Sequence, residues 1–203
     1  MLAKGSFSWI LTAIIITIIF GLIAYFENSQ IFTFFTYIGI VAIIFLLWFY
    51  RDPERSTDWC ENSIISPADG KIIDIRGHKV CIFMNVQNVH VNRAPISGKI
   101  KKVEYRKGGY IPAYCKDSER NEQNSITLDT NHGDVIVTQI AGVLVRRIVL
   151  YFEKGDVLTQ GERLGMIRFG SRVDVTVPNS FKILCEKGDK VRAGKSLIAK
   201  MDE

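Results

Sequence analysis

The segment KGDVLTQGERL, residues 154–164, decides the fold, because a matching segment, KGDKVRAGKSL, follows at residues 187–197. Two further segments resemble each other in the same way: PADGKI at residues 67–72 and PISGKI at residues 95–100. Paired β segments of this kind predict a mainly β, pseudo-symmetric barrel or sandwich like the lipoyl-carrier and hybrid-motif folds. Carriers, adaptors and hydrolases share that architecture, so the fold alone leaves the function open.

Short β-rich runs broken by Gly, Pro, Asn and Asp continue through the chain from residue 63 onward. No long amphipathic helix is predicted among them. We predict strands over the runs Lys71–Ile75, Val80–Met84, Gly98–Tyr105, Ser125–Leu128, Asp134–Ile140 and Arg146–Phe152.

The stretch MIRFGSRVDVTVP, residues 166–178, contains two short β runs that meet at Gly170-Ser171. A Gly-Ser pair is typical of a turn. It is also suited to self-cleavage, in which the Ser171 hydroxyl attacks the preceding carbonyl, since glycine leaves that carbonyl unshielded and permits strained backbone angles. Elimination from the resulting ester, followed by hydrolysis, would leave a pyruvoyl group at a new N-terminus, a ketone that reacts with amines. The local sequence leaves both interpretations open.

Two apolar runs, Phe7–Phe26 and Ile31–Tyr50, precede the β-rich region, and each has roughly the 20 residues that a spanning helix needs. No small-residue cleavage site follows the first run, which disfavours a signal peptide. Lys4 and Arg51 flank the pair, whereas the turn between the runs has no Lys or Arg, so both termini are predicted in the cytoplasm. We therefore predict a membrane hairpin over residues 1–50, a linker over 51–62 and a β-rich domain over 63–203, on the cytoplasmic side of the cell membrane.

The composition favours a lipid surface as the partner. The chain has 203 residues, a net charge of +5 and a pI near 9.0, which suits anionic partners. Because of the hairpin, we expect an anionic membrane rather than nucleic acid. The four cysteines, Cys60, Cys81, Cys115 and Cys185, have no C-x-x-C spacing and are interpreted as reduced, mostly buried thiols, with metal binding disfavoured.

General-base candidates are few, because the chain has three histidines. His78 and His132 lie in turn-like sequence and are expected to be exposed. His90 follows a strand, in NVQNVHVNRAP at residues 85–95, and is interpreted as either a strand cap or a base. Asp69 lies in a PADG turn, which can also hold a catalytic carboxylate rigidly. An Asp that orients a His, which in turn deprotonates Ser171, is a familiar way to activate a nucleophile.

Five motifs occur in order along the chain: FYRDPER at 49–55, SPADG at 66–70, NVHVNR at 88–93, SERNE at 118–122 and IRFGSRVD at 167–174. Together they resemble the short-form phosphatidylserine decarboxylase proenzymes, and especially the archaetidylserine decarboxylases. The resemblance implies self-cleavage into a β chain, residues 1–170, and an α chain, residues 171–203, which remain associated as a heterodimer. It also implies that Ser171 becomes a covalently bound pyruvoyl cofactor, with Asp69 and His90 as its charge-relay partners.

The activity that the resemblance implies is decarboxylation of a serine phospholipid, archaetidylserine or phosphatidylserine, to the ethanolamine lipid and CO2. The resemblance favours archaetidylserine. His90 is then the candidate acid that returns a proton to carbon. Arg93 and Arg120 are candidate contacts for the lipid phosphate or serine carboxylate, with solvated surface charge as the alternative. Longer relatives have H-x-x-H where this chain has His90-Val91-Asn92-Arg93, so it stays open whether His90 serves cleavage, decarboxylation or both.

Two other functions compete with this interpretation. A zinc hydrolase would need an H-x-H pair with an H-x-x-x-D element, and only His90-Val91-Asn92 stands at a suitable place, so no metal is predicted. A non-enzymatic, membrane-tethered lipoyl-like carrier or adaptor would need a modifiable lysine at a hairpin tip. Lys71 and Lys99 lie in Gly-Lys-Ile runs without the apolar neighbours that such a lysine requires.

Overall fold

The computed structural model describes residues 1–57, 62–142, 148–168 and 170–201. The chain forms two compact units, Met1–Pro53 and Glu54–Glu203, which are described separately below. The boundary between them falls within the segment predicted as a linker, residues 51–62.

The first unit is the predicted helical hairpin. Helix α1 spans Phe7–Phe26 and helix α2 spans Gln30–Phe49, and both are long and apolar enough to cross a membrane. At the seam, Gly39 lets α2 approach α1, because a Cβ there would meet the Thr17 hydroxyl at 2.3 Å. The Thr17 Oγ1 donates to the Ala13 carbonyl at 2.7 Å. Away from the seam the hairpin presents apolar side chains outward, as helices in contact with lipid do.

The second unit is mainly β, as predicted. Its strands are β1 Ser63–Ile65, β2 Gly70–Arg76, β3 Lys79–Met84, β4 Val91–Arg93, β5 Gly98–Arg106, β6 Gln123–Thr130, β7 Gly133–Ile140, β8 Ile148–Leu150, β9 Val157–Leu158, β10 Arg163–Ile167, β11 Ser171–Thr176, β12 Phe181–Ile183, β13 Lys190–Val191 and β14 Leu197–Met201, with a 3-10 helix over Lys116–Arg120. The large sheet has the order β13-β2-β3-β11-β7-β6-β5-β9 and curls into a half-barrel. Two three-stranded sheets, β1-β14-β12 and β4-β10-β8, complete the unit. The predicted fold class is therefore confirmed.

Each predicted run contains a strand, with bounds that differ by one or two residues at most places. The exception is the run predicted over residues 146–152. Its strand, β8, covers only Ile148–Leu150, and residues 146 and 147 lie outside the described part of the chain.

The sequence repeat appears in the structure as a repeat of strand pairs. Strand β9 pairs with β5 and strand β13 pairs with β2, with Gly98 opposite Leu158 and Gly70 opposite Val191. The flanking hydrogen bonds also match: the Gly155 amide donates to the Ile100 carbonyl at 2.9 Å, and Gly188 donates to Ile72 at 2.8 Å. Equivalent positions in the two halves can therefore be compared directly.

Strand β11 lies in the interior of the large sheet, between β3 and β7. Its residues Val173 and Val175 are fully buried in the apolar core, and Ser171 stands opposite Met84 at the start of the strand. The core thus fixes the position of Ser171 through the register of β11.

Candidate active site

Ser171 is completely buried at the beginning of β11. Its hydroxyl approaches the Met84 sulfur at 3.5 Å. Gly170, immediately before it, has a φ of +57°, in the left-handed region that favours glycine. A Cβ at Gly170 would meet nothing within 4 Å, so it is the backbone conformation rather than crowding that calls for glycine here. The predicted cleavage bond therefore lies at a tight change of direction ahead of a rigid strand.

Buried amide side chains extend from the Ser171 pocket into the domain. The Asn92 amide approaches the Met84 sulfur at 3.6 Å, and its oxygen accepts a hydrogen bond from Gln139 at 2.8 Å. Asn124 stands opposite Gln139 across β6 and β7. Among the described residues, the side-chain oxygens of Gln139 and Asn124 are buried without a hydrogen-bond partner. Such oxygens are costly to leave unsatisfied, so they offer acceptor positions for a small donor such as water or an amine.

His90 is also buried, and its orientation is defined. Its Nδ1 lies 2.8 Å from the Asn88 carbonyl. Because a carbonyl can only accept, Nδ1 carries the proton, which leaves Nε2 of the neutral ring with the lone pair that a base requires.

The backbone brings the His90 segment next to the cleavage segment. Met84 pairs with Ser171 at one end of the two connections, and Val91 pairs with Met166 at the other end. The Ile167 amide also donates to the His90 carbonyl at 3.3 Å. Strand β3 thus pairs with β11 and β4 pairs with β10, so the connection from β3 to β4, which carries His90, joins the same two strand pairs as the connection from β10 to β11, which leads into Ser171.

Asp69 is held by Arg55, a partner that was not predicted from the sequence. Arg55 binds the carboxylate with both terminal nitrogens, Nη1 to Oδ1 at 2.5 Å and Nη2 to Oδ2 at 2.8 Å, and the Ala193 amide donates to Oδ1 at 2.8 Å. The described contacts of Asp69 include no hydrogen bond to His90. The two residues are linked more loosely, because Asp69 lines the same cavity as Asn88, whose carbonyl holds the His90 ring.

The internal repeat shows what the turn at Asp69 requires structurally. The equivalent residue in the other half is Ser97, whose hydroxyl accepts a hydrogen bond from the Gln160 amide at 2.9 Å. Asp69 accepts the matching bond from Ala193. A hydroxyl is therefore sufficient for the turn, and the carboxylate of Asp69 with its Arg55 partner is an addition specific to this half.

The two predicted substrate contacts lie in different surroundings. Arg93 is buried, donates from Nη1 to the Gly161 carbonyl at 2.9 Å, and packs its aliphatic part against Gly194. Arg120 ends the 3-10 helix and is exposed. No described contact brings the two side chains together.

A buried ion pair, which was not predicted from the sequence, follows Ser171 directly. The Arg172 guanidinium is fully buried and binds Asp174 at 2.5 and 2.7 Å. It also donates to the Ser118 hydroxyl at 3.1 Å and lies 3.4 Å from the Glu119 carboxylate. Burial raises the pKa of Asp174, although Arg172 opposes that shift. Residues at i and i+2 of a strand share a face, so the R-x-D spacing was a usable signal.

The other two histidines and the described cysteines lie in different surroundings. His78 is exposed, as expected. The expectation of an exposed His132 is wrong, because its ring is half-buried edge-on against Phe181, with centroids 5.7 Å apart. Cys81 is buried beside Arg172, and burial raises the pKa of its thiol to about 12.

Two other predicted thiols, Cys115 and Cys185, are half-buried rather than buried, and Cys60 lies outside the described residues. Within the described ranges, no group of three or more His, Cys, Asp or Glu side chains is arranged to hold a metal. A zinc hydrolase would need such a group.

Comparison with known proteins identifies the family. The family described as phosphatidylserine decarboxylase matches residues 43–199. A protein of Methanosarcina barkeri assigned as an archaetidylserine decarboxylase proenzyme is 54% identical over 199 residues, covering 98% of both chains. A Methanococcoides burtonii protein with the same assignment is 52% identical over 200 residues, covering 98% of this chain and 96% of its own.

Bacterial relatives match a smaller part of the chain. The phosphatidylserine decarboxylase proenzyme of Syntrophus aciditrophicus is 49% identical over 170 residues, covering 77% of this chain and 80% of its own. The resemblance drawn from the five sequence motifs is thereby confirmed. The chain belongs to the phosphatidylserine decarboxylase family, whose members are lyases.

Proposed function

We propose that this protein decarboxylates a serine phospholipid to the ethanolamine lipid and CO2, after cleaving itself between Gly170 and Ser171. The observation that carries the proposal is a fully buried serine after a glycine of positive φ, at the start of an interior strand, in a chain of this family. Archaetidylserine is the preferred substrate, because the relatives that match 98% of the chain bear that lipid in their assigned names.

Self-cleavage needs no cofactor. The Ser171 hydroxyl adds to the Gly170 carbonyl, and the peptide nitrogen leaves, which converts the amide into an ester. Elimination then releases the Gly170 carboxylate and turns residue 171 into dehydroalanine. Addition of one water and loss of one ammonia complete the pyruvoyl end of the α chain, residues 171–203. Glycine at 170 favours the first step, because no side chain shields its carbonyl.

His90 is the proposed base for this sequence, with the lone pair of Nε2 as the acceptor. Asp69 is proposed to act with it through charge. Because Arg55 and Ala193 occupy the carboxylate, we assign Asp69 an electrostatic and positioning part rather than a direct hydrogen bond to the imidazole. Whether His90 also returns a proton to carbon during decarboxylation is a second part of the proposal.

The surroundings of Ser171 fit a small covalent ketone. The site is buried and bordered by the Met84 sulfur, and it leads to the unsatisfied oxygens of Gln139 and Asn124. A pyruvoyl group supplies an electrophilic carbonyl that binds the substrate amine and withdraws electrons as the carboxylate leaves. The buried amide oxygens are suited to orient amine hydrogens, and burial of the site favours loss of a charged carboxylate. Arg93 and Arg120 remain proposed contacts for the substrate carboxylate or phosphate.

The helical hairpin, α1 and α2, is proposed to anchor the enzyme in the cell membrane with the β-rich unit in the cytoplasm. The β and α chains remain associated as a heterodimer in this proposal, because the α chain supplies strands to two sheets.

Mass spectrometry of the purified protein tests the cleavage. We expect two chains, the smaller one beginning at residue 171 with a pyruvoyl group and no free amine. Ser171→Ala should give one intact, inactive chain, because alanine has no hydroxyl to attack Gly170. Gly170→Ala should slow cleavage, and Gly77→Ala is its matched control: Gly77 has a φ of +58° and equally open space, but lies in the β2–β3 turn.

A lipid-resolved assay with both serine lipids tests the reaction, and we expect higher kcat/KM for archaetidylserine. An active enzyme with the Gly170–Ser171 bond intact would overturn the proposal.

A further inference from the structure

A basic cavity of about 410 Å³ lies beside Asp69, at the edge of the large sheet where β13 pairs with β2. Lys71, Lys190 and Arg192 line it, together with Asn85 and Asn88 of the connection that leads to His90. Among the described residues, none of the three cations forms a salt bridge. Among the described residues that line the wall, the one acidic side chain is Asp69, which Arg55 also binds, so the three cations exceed its single negative charge. The cavity therefore carries an uncompensated positive charge next to the proposed site.

The internal repeat shows that the sheet does not need this charge. Lys71 stands directly opposite Lys190 across the β2–β13 pair. In the equivalent β5–β9 pair, Lys99 stands opposite Val157, so the second lysine is absent. Like charges directly opposite each other destabilise a strand pair. The Lys71–Lys190 pair is thus unfavourable in itself, which is the expected pattern where an anion is bound.

The polar groups of the cavity are arranged as donors. The Asn88 Oδ1 accepts a hydrogen bond from the backbone N–H of Asn85 at 2.8 Å, and the Asn85 Oδ1 accepts one from the backbone N–H of Val86 at 2.7 Å. Both side-chain oxygens are therefore used locally, and the NH2 groups of Asn85 and Asn88 remain as donors. Two ammonium groups, one guanidinium and two amides form a donor set that suits the oxygens of a phosphate.

We propose that this cavity binds the phosphodiester of the lipid headgroup during decarboxylation, which leaves Arg93 and Arg120 as candidate contacts for the substrate carboxylate. The inference rests on the proposed function. The position of the cavity supports the inference. Its lining includes Asn88, whose carbonyl holds the His90 ring, and Asn85, which directly follows Met84, the residue that contacts Ser171. A phosphate here would place the short serine headgroup toward the Ser171 end of the same connection.

Steady-state kinetics of the full-length enzyme in mixed micelles test the subsite. The double variant Lys71→Gln/Lys190→Gln should raise KM for the serine phospholipid about tenfold, because each lost charge-assisted bond weakens binding. We expect kcat and the rate of Gly170–Ser171 cleavage to stay at wild-type values. An O-acylserine with the same chain length but no phosphate should show no change in KM between the variant and the wild type.

The control variant is Lys99→Gln/Lys154→Gln. These lysines line another basic cavity of about 400 Å³, which also contains Asp129 and the ion-paired Lys101. It removes the same charge from the domain, so an equal rise in KM would show that general attraction to the micelle is responsible and would overturn the proposal. An equal loss of O-acylserine turnover in the Lys71/Lys190 variant would also overturn it.

A binding measurement keeps this inference separate from the proposed reaction. Calorimetric titration of the Ser171→Ala proenzyme with glycerophosphoserine should show binding that Lys71→Gln/Lys190→Gln weakens and that inorganic phosphate displaces. Tighter binding of inorganic phosphate than of glycerophosphoserine would identify a free-phosphate site and contradict a headgroup subsite. If the wild type decarboxylates neither serine lipid, the proposed function fails, and this titration still decides whether the cavity binds phosphate esters.

Discussion

At the residue scale, the internal repeat distinguishes what the turn at Asp69 needs from what its carboxylate adds. Ser97 occupies the equivalent turn and makes the equivalent hydrogen bond with a hydroxyl alone. The turn therefore does not require the negative charge of Asp69. The carboxylate is held in place by Arg55, which lies in the segment that follows the hairpin. A carboxylate held by a guanidinium and an amide is oriented at little further entropic cost.

We predict that Asp69→Ser preserves the fold and slows self-cleavage by about 100-fold, within the range of acid–base contributions. The serine hydroxyl can keep the bond from Ala193, as Ser97 keeps its own, while the charge and the Arg55 pair are lost. Loss of the precursor band on denaturing gels over time measures the rate.

Ser97→Ala is the control for Asp69→Ser, because it removes the same type of turn bond from the other half. It should lower the melting temperature slightly and leave cleavage at the wild-type rate. Cleavage of Asp69→Ser at the wild-type rate would limit Asp69 to a structural part.

At the scale of the element, strand β11 is fixed on both faces. One face contributes Val173 and Val175 to the apolar core, and the other contributes the buried pair Arg172–Asp174. Through Ser118 and Glu119, the same guanidinium ties the strand to the 3-10 helix. Arg172, which follows the proposed nucleophile Ser171, is therefore held in place by contacts that do not depend on the Gly170–Ser171 peptide bond.

We predict that Arg172→Met destabilises the Ser171→Ala proenzyme by about 3–5 kcal/mol, because it leaves Asp174 buried without its countercharge. Arg172→Met/Asp174→Leu should recover most of that loss. Denaturant unfolding at neutral pH measures both. Breaking the exposed pair Lys101–Asp134 should cost no more than about 1 kcal/mol.

The pH dependence of the free energy of unfolding tests whether unpaired Asp174 causes the loss of stability in Arg172→Met. Without Arg172, the pKa of Asp174 should rise further above its unfolded value, since burial already raises it. The folded state then binds the proton more tightly than the unfolded state, so stability falls as pH rises between the two pKa values. The loss of stability in Arg172→Met should therefore become smaller as the pH is lowered. A loss of stability that does not change with pH would contradict this explanation.

The strand pairs could be predicted from the sequence, whereas several of the side-chain contacts could not. The repeated KGD segments and the Gly-Lys-Ile runs define the strand pairs β9–β5 and β13–β2, because both halves of each pair carry the pattern. Burial of Ser171 was also accessible, since it begins an alternating β run. The pairing of Arg55 with Asp69 could not be predicted, because Arg55 lies in the segment predicted as a linker, which carries no periodicity that indicates a contact. The burial of Gln139 and Asn124 was not predicted, because polar residues within strands usually indicate the side of the sheet that faces solvent.

At the scale of the whole molecule, the charges around the hairpin set the expected orientation. Lys4 and Arg51 flank two apolar helices, and the turn between the helices has no basic residue. The net charge of +5 is consistent with a domain that works beside anionic lipid.

We predict that a reporter fused after Glu203 is active only in the cytoplasm and that one inserted at Ser29 is active only outside. The positive-inside rule gives the reason. Moving Lys4 and Arg51 into the turn should weaken or reverse the preference. An external signal from the Glu203 fusion in the wild type would show the opposite orientation.

The place of residues 171–203, the proposed α chain, in the sheets determines when cleavage could occur. Strand β11 lies between β3 and β7, and β14 lies between β1 and β12, so the 171–203 fragment occupies interior positions in two sheets. As one polypeptide, the chain reaches this arrangement by closing loops on itself, which is independent of concentration. Once the bond is cut, the same arrangement would require an encounter of two separate chains. If the chain cleaves itself as proposed, cleavage therefore has to follow folding. We expect the uncleaved precursor to refold after denaturation, whereas the two cleaved chains, once separated, would first have to find each other.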